Sequence, residues 1–204
     1  MNEWAAKRFW KAVTVGSDGD GFVVRLDDRS IKTPLGYGLC VPTIALARTV
    51  AAEWAAQEGN VDPRSMPFTR LTNAALDKVA GQKREVADLI ADYGASDLIC
   101  YRAETPETLV ERQAAAWDPM LNFAQGALDA PLTVTAGIVP VEQPADSLAR
   151  LRAIVHAFDL FALTALHDLV TVSGSLVIGL AATRDFLPVE ALWTMSRIDE
   201  DWQA

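Results

Sequence analysis

The side chains in this chain with enough reactivity for chemistry are few: His156 and His167, Cys40 and Cys100, and several closely spaced carboxylates. A hydrolase or transferase needs a nucleophile, a base and an orienting acid within hydrogen-bond reach. His167 beside Asp168, with Ser173 or Ser175 shortly after, supplies those residue types, but its only support is proximity. The stretch VSGSL at Val172–Leu176 lacks the GxSxG spacing that exposes a serine on a sharp turn, and it stands in a helical context. His156 and His167 lie eleven residues apart, which on one unbroken helix is about 16 Å of rise. Zinc ligands sit about 2 Å from their metal, so this pair cannot share one. Neither cysteine belongs to a CxxC or stands near a histidine cluster, and both read as reduced structural thiols.

Other motifs fail on spacing. Gly16, Gly19 and Gly21 give GxxGxG ahead of a strand, whereas a dinucleotide loop needs GxGxxG opening a helix, and no GxxxxGK[ST] occurs. Asp18 and Asp20 begin like a calcium loop, yet Arg29 stands where the closing glutamate belongs. Glu107 with Glu111 and Asp88 with Asp92 have the i+4 spacing of solvated helix faces. The reading is therefore no catalytic residue, no metal and no cofactor.

One grouping breaks a local rule. Asp199, Glu200 and Asp201 follow Arg197 and Ile198 and precede Trp202, near the end of a helix that opens at Pro188. Carboxylates there oppose the helix macrodipole, and such a violation can mark function. The bland alternative is a helix running past Ala204, with the three acids solvated at mid-helix.

The elements that must position these residues divide the chain in two. It has 204 residues, is 50% hydrophobic, and carries 18 basic and 27 acidic side chains, for a net charge of -9. That balance opposes binding to nucleic acid or to an anionic membrane surface. Up to residue 80 there are 10 basic and 9 acidic residues; from 81 onward there are 8 and 18. The pattern over 1–80 predicts an α+β domain. Short strands are expected at Ala12–Val15, Phe22–Leu26, Ser30–Thr33 and Leu39–Val41, a glycine-rich turn at Gly16–Gly21, and a helix capped by Thr43. The pattern over 81–204 predicts an all-α orthogonal bundle, with Thr105–Pro106, Asp118–Pro119 and Pro188 opening helices and Trp117 packing beneath its turn. The apolar run Leu160–Ala182 is interrupted by His167 and Asp168, and the 14 residues after them are too few to span a bilayer. No membrane insertion is expected. The N-terminal stretch lacks the long apolar core of a secretory signal, which favours the cytoplasm.

Four strings then carry a resemblance: KTPLGYGLCVPT (Lys32–Thr43), EWAAQEGNVDPRSMPFTRLTNAALD (Glu53–Asp77), SDLICYRAETPETLVERQAAAWDP (Ser96–Pro119) and SRIDEDWQ (Ser196–Gln203). Together they resemble the assembly-chaperone family for the catalytic head of the F-type ATP synthase, from about Lys7 to the end of the chain. The resemblance implies a two-domain protein without enzymatic activity or cofactor. It implies binding of the free alpha subunit, which is shielded from aggregation until the beta subunit replaces the chaperone, in a bacterial cytoplasm or a mitochondrial matrix. It also implies a functional glutamate near the C-terminal end, which falls on Glu200, with Asp199, Asp201 and Trp202 beside it at the partner-binding surface.

Overall fold

Residues 7–204 are described by a computed structural model, in which the chain divides between Gln82 and Lys83 into two compact units. In the first, β1 (Val13–Asp18) and β2 (Gly21–Leu26) form an antiparallel hairpin from Val13↔Leu26 to Asp18↔Gly21. The turn is thus shorter than the glycine pattern predicts. Gly16 remains in the strand, where Arg25 lies across it so closely that a Cβ would meet the guanidinium at 2.5 Å. Only Gly19, at φ +56°, and Asp20 make the bend.

Strand β2 is central. Its other edge pairs with β3 (Arg29–Ser30) and β4 (Cys40–Val41). Val23 and Val24 are both buried, so the strand is covered on both faces, and the simple inward–outward alternation expected there does not hold. Helix α1 (Ile44–Ala55) packs against β1 and β2, and the Thr43 hydroxyl accepts from Leu46 N at 3.2 Å, as the sequence predicts.

Helix α2 (Pro67–Ala74) has no capping side chain of its own at Met66. The Glu53 carboxylate of α1 takes that role, accepting from Phe68 N, Thr69 N and Thr69 Oγ1, each at 2.7 Å. A π-helical turn (Ala75–Val79) and a 3-10 turn (Ala80–Gln82) complete the unit.

The second unit contains α3 (Lys83–Asp92), α4 (Glu107–Ala127), α5 (Ala145–His156), α6 (Leu160–Ser173), α7 (Leu176–Ala182), α8 (Val189–Ser196) and α9 (Ile198–Gln203). To these the structure adds a short parallel pair, β5 (Tyr101–Arg102) with β6 (Thr135–Ala136), which the sequence pattern does not reveal. Leu151, Leu163, Leu166, Val170, Leu176 and Leu180 are fully buried. Helices α6 and α7 approach closely because Gly179 has no side chain; a Cβ there would stand 2.8 Å from Val170 Cγ2. None of the described helices is long and apolar enough to cross a membrane.

Two expected boundaries are corrected. Asp118–Pro119 does not open a helix, because α4 runs through Pro119. Burial of Trp117, Met120, Phe123 and Ala124 around the proline outweighs the lost backbone bond. The helix opening at Pro188 does not continue through Trp202. It breaks at Arg197, whose backbone (φ -109°, ψ 9°) leaves helical geometry.

Candidate functional site

The break at Arg197 alters the meaning of the acidic cluster. Asp199, Glu200 and Asp201 lie in the first turn of a short new helix, where negative charge complements the helix dipole instead of opposing it. The local rule is therefore kept, and neither the helix-end nor the mid-helix reading of these acids describes the structure.

Helix α9 is held in place from the side of α4. The indole of Trp117, fully buried, donates from Nε1 to Met195 O at 2.9 Å and so fastens the last turn of α8. Ile198 is buried and anchors the first residue of α9. Gln113, also buried, donates from Nε2 to Asp199 Oδ1 at 2.7 Å, while its Oε1 accepts from Ala103 N at 2.7 Å. A single amide thus links α4, the end of β5 and α9.

The three consecutive carboxylates consequently do different things. Asp199 is turned inward and committed to Gln113. Asp201 faces Arg112 at 3.8 Å, and both of these side chains are well exposed. Glu200 pairs with Arg197, Oε1 to Nη1 at 3.0 Å, and half of its side chain surface remains open to solvent. Trp202 is 41% exposed and lines an open groove of about 270 Å³ whose walls include Tyr101, Leu109, Gln113, Ile138 and Asp199. Ile138 is 93% exposed at the groove and Val139 beside it 70%, so an apolar border flanks the acidic helix. The structure brings all four sequence-predicted residues to one short helix. It also adds Gln113 and Ile138, which no local signal in the sequence discloses, and it packs Trp117 against the end of α8 from within the continuous α4, not beneath a turn.

The hydrolytic arrangement is not assembled. His167 Nδ1 lies 3.2 Å from Asp168 Oδ1 on the exposed side of α6. Ser173 stands six residues further on, roughly 120° away around the helix axis. Its hydroxyl is turned back to Leu169 O at 2.7 Å. Ser175 is buried, and its Oγ accepts from Ile178 N as the cap of α7. His156 belongs to a different helix from His167, separated by the Asp159 cap of α6. It contacts Asp88, which also pairs with Arg152. No cluster of three or more metal-ligating side chains occurs among the described residues. Both cysteines are free, and burial together with the nearby Asp97 pushes the Cys100 thiol up to about 12, which removes its nucleophilic form at neutral pH.

One buried acid has a structural duty. Asp97 is wholly buried and accepts from Ile99 N at 3.3 Å and Val177 N at 3.0 Å, joining the turn after α3 to the start of α7. Burial raises its pKa to about 6 despite those donors.

Comparison with known proteins completes the picture. The sequence profile of the family described as ATP12 chaperone protein matches residues 7–125. The crystal structure of Atp12 from Paracoccus denitrificans superposes with a TM-score of 0.96 at 47% identity, covering 99% of this chain and 87% of that one. The Atu1473 protein from Agrobacterium tumefaciens gives a TM-score of 0.93 at 37% identity, over 97% of this chain and 75% of that one. The mitochondrial protein atp12 of Schizosaccharomyces pombe is 24% identical over 209 aligned residues, which span 97% of this chain and 72% of the relative.

Proposed function

Since the chain belongs to the ATP12 chaperone family, we propose that it assists assembly of the ATP synthase catalytic head by binding the free alpha subunit and shielding its assembly surface until the beta subunit takes that place. The task suits the physical chemistry of an orphaned subunit. Such a subunit exposes an apolar interface, and a holdase protects it by covering that interface while binding less tightly than the final neighbour. No bond need be made or broken. The same reading places the protein where the head is assembled, in a bacterial cytoplasm or a mitochondrial matrix.

The observation that carries the reading to a surface is the division of labour on α9. Asp199 is committed to the buried Gln113, whereas Glu200 is held only by the partly exposed Arg197. A carboxylate so placed is available to a basic group on a partner, and it steers and selects that partner through charge. Asp201 and Trp202 adjoin it on the same helix and extend the contact.

The test is suppression of aggregation of isolated alpha subunit, with isolated beta subunit as the control. The wild-type chain keeps the alpha subunit in solution and leaves the beta subunit unprotected. Glu200→Lys loses that protection with an unchanged circular dichroism spectrum. Equal protection of both subunits, or of neither, would sink the proposal.

A further inference from the structure

A second groove lies beyond α9, within the same helical unit and apart from the one beside Trp202. It is walled by α6, α7 and α8, with Leu169, Ile178, Gly179 and Leu192 below and Val172, Val189 and Trp193 at its mouth. It holds about 50 Å³, room for one aliphatic side chain. The wall offers no free hydroxyl proton to a guest, because Ser173 Oγ donates to Leu169 O and Ser196 Oγ donates to Trp193 O. The mouth is nevertheless open: Val172 is 57% exposed, Val189 61% and Trp193 49%. Apolar residues so exposed around a preformed apolar slot mark a binding surface more than a packing fault.

The rim states the chemistry of the occupant. Asp168 lies four residues before Val172 on α6, and Glu190 lies three before Trp193 on α8, so each carboxylate shares a helix face with a residue of the mouth. The Arg197 guanidinium sits 5.5 Å from the Trp193 ring centroid and at the same time binds Glu200. One internal cation therefore occupies the two features a visiting cation would seek, an indole face and an exposed carboxylate.

We infer that this groove receives an aliphatic side chain from a basic segment of the protein client, and that a lysine or arginine of that segment takes the place of Arg197 at Glu200 and Trp193. The inference rests on the chaperone reading above and identifies the chemistry of the client segment. Charge complementarity decides the occupant. The helical unit carries 18 acidic against 8 basic residues; Asp168 and Glu190 stand next in sequence to the lining residues Leu169 and Val189, and Glu200 is linked to the lining residue Trp193 through Arg197. An acidic segment would be repelled by them, and an uncharged one would gain nothing from them.

The experiment measures the affinity of the full chain for isolated alpha subunit in titrations at low and high salt. Val172→Glu and Val189→Glu, on different helices and at exposed positions, each weaken binding by about tenfold or more. Arg197→Ala removes the internal competitor and leaves binding equal or a few-fold tighter, with a steeper dependence on salt. Leu89→Glu, an exposed apolar position on α3, binds as wild type. If the wild-type chain binds alpha subunit and both groove variants bind it equally well, the groove assignment is overturned while the chaperone reading stands. Weakening by Leu89→Glu as large as that from the groove variants also overturns it. If the wild-type chain does not bind alpha subunit at all, the chaperone reading itself fails. Circular dichroism melts of both groove variants separate a lost surface from a lost fold.

Discussion

The two units put their carboxylates to different uses. In the N-terminal unit three acids are spent on the backbone. Asp27, itself in the left-handed region at φ 52°, accepts from Lys11 N and Ala12 N. Glu53 caps α2, and Asp77 holds Leu35 N and the Thr33 hydroxyl. At the C-terminal end of the helical unit, Glu200 and Asp201 bond to no backbone donor and face only arginines on the surface. Exposed ion pairs contribute little to stability, because solvent and salt screen them. The difference teaches that these acids of the first unit hold its turns and helix starts, while Glu200 and Asp201 are left in exposed ion pairs.

Substitutions can break or sharpen that contrast. The largest loss of stability is expected from Glu53→Ala, which strands three donors at the start of α2 and costs about 2–3 kcal/mol in urea unfolding. Binding to the client should then be unchanged wherever the protein remains folded. Asp199→Ala tests the boundary between the two uses, since it leaves the buried Gln113 amide without its acceptor. A cost of about 1–2 kcal/mol is expected in the same measurement, and a negligible cost would show Asp199 to be as uncommitted as Glu200.

The pH dependence separates a third kind of acid. Asp97 has a folded pKa raised to about 6 from an ordinary 3.8, so its contribution to stability is fully present below 3.8 and is lost as the pH rises through about 6. Asp27, held low by the Ala12 and Lys11 amides, and Asp62, held low by Arg64, behave oppositely. Their contributions are present above 3.8 and vanish as the pH falls through their depressed values. Melting temperatures measured from pH 4 to pH 8 should therefore decline toward the alkaline end in the wild type, and Asp97→Asn should flatten that decline. The smallest effect on stability belongs to Glu200→Lys, whose melting temperature should match the wild type while alpha-subunit protection disappears. A lowered melting temperature would return Glu200 to the structural acids.

Much of this was legible where the cause is local. Thr43 as a cap acts on Leu46 three positions on, and residue type with spacing conveys it. The resemblance likewise led to α9 through SRIDEDWQ. What stayed hidden required distant partners. Pro119 reads as a helix start, and only the buried side chains around it explain why α4 continues. The Ser173 and Ser175 hydroxyls stand beside His167 by proximity alone, and only the fold shows them turned toward their own backbone.

The sequence by itself determined the α+β class, the helix periods, the charge imbalance and the helical character of the stretch that carries Asp199 to Trp202. These follow from hydrophobic spacing and capping, which operate along the chain. Only the tertiary structure decided that α8 ends at Arg197, that Asp199 turns inward while Glu200 faces out, and that an apolar slot opens beside Trp193. Each of these depends on contacts such as Trp117 Nε1 to Met195 O, between residues 78 apart in sequence, and the free energy of such contacts exists only once distant helices have packed.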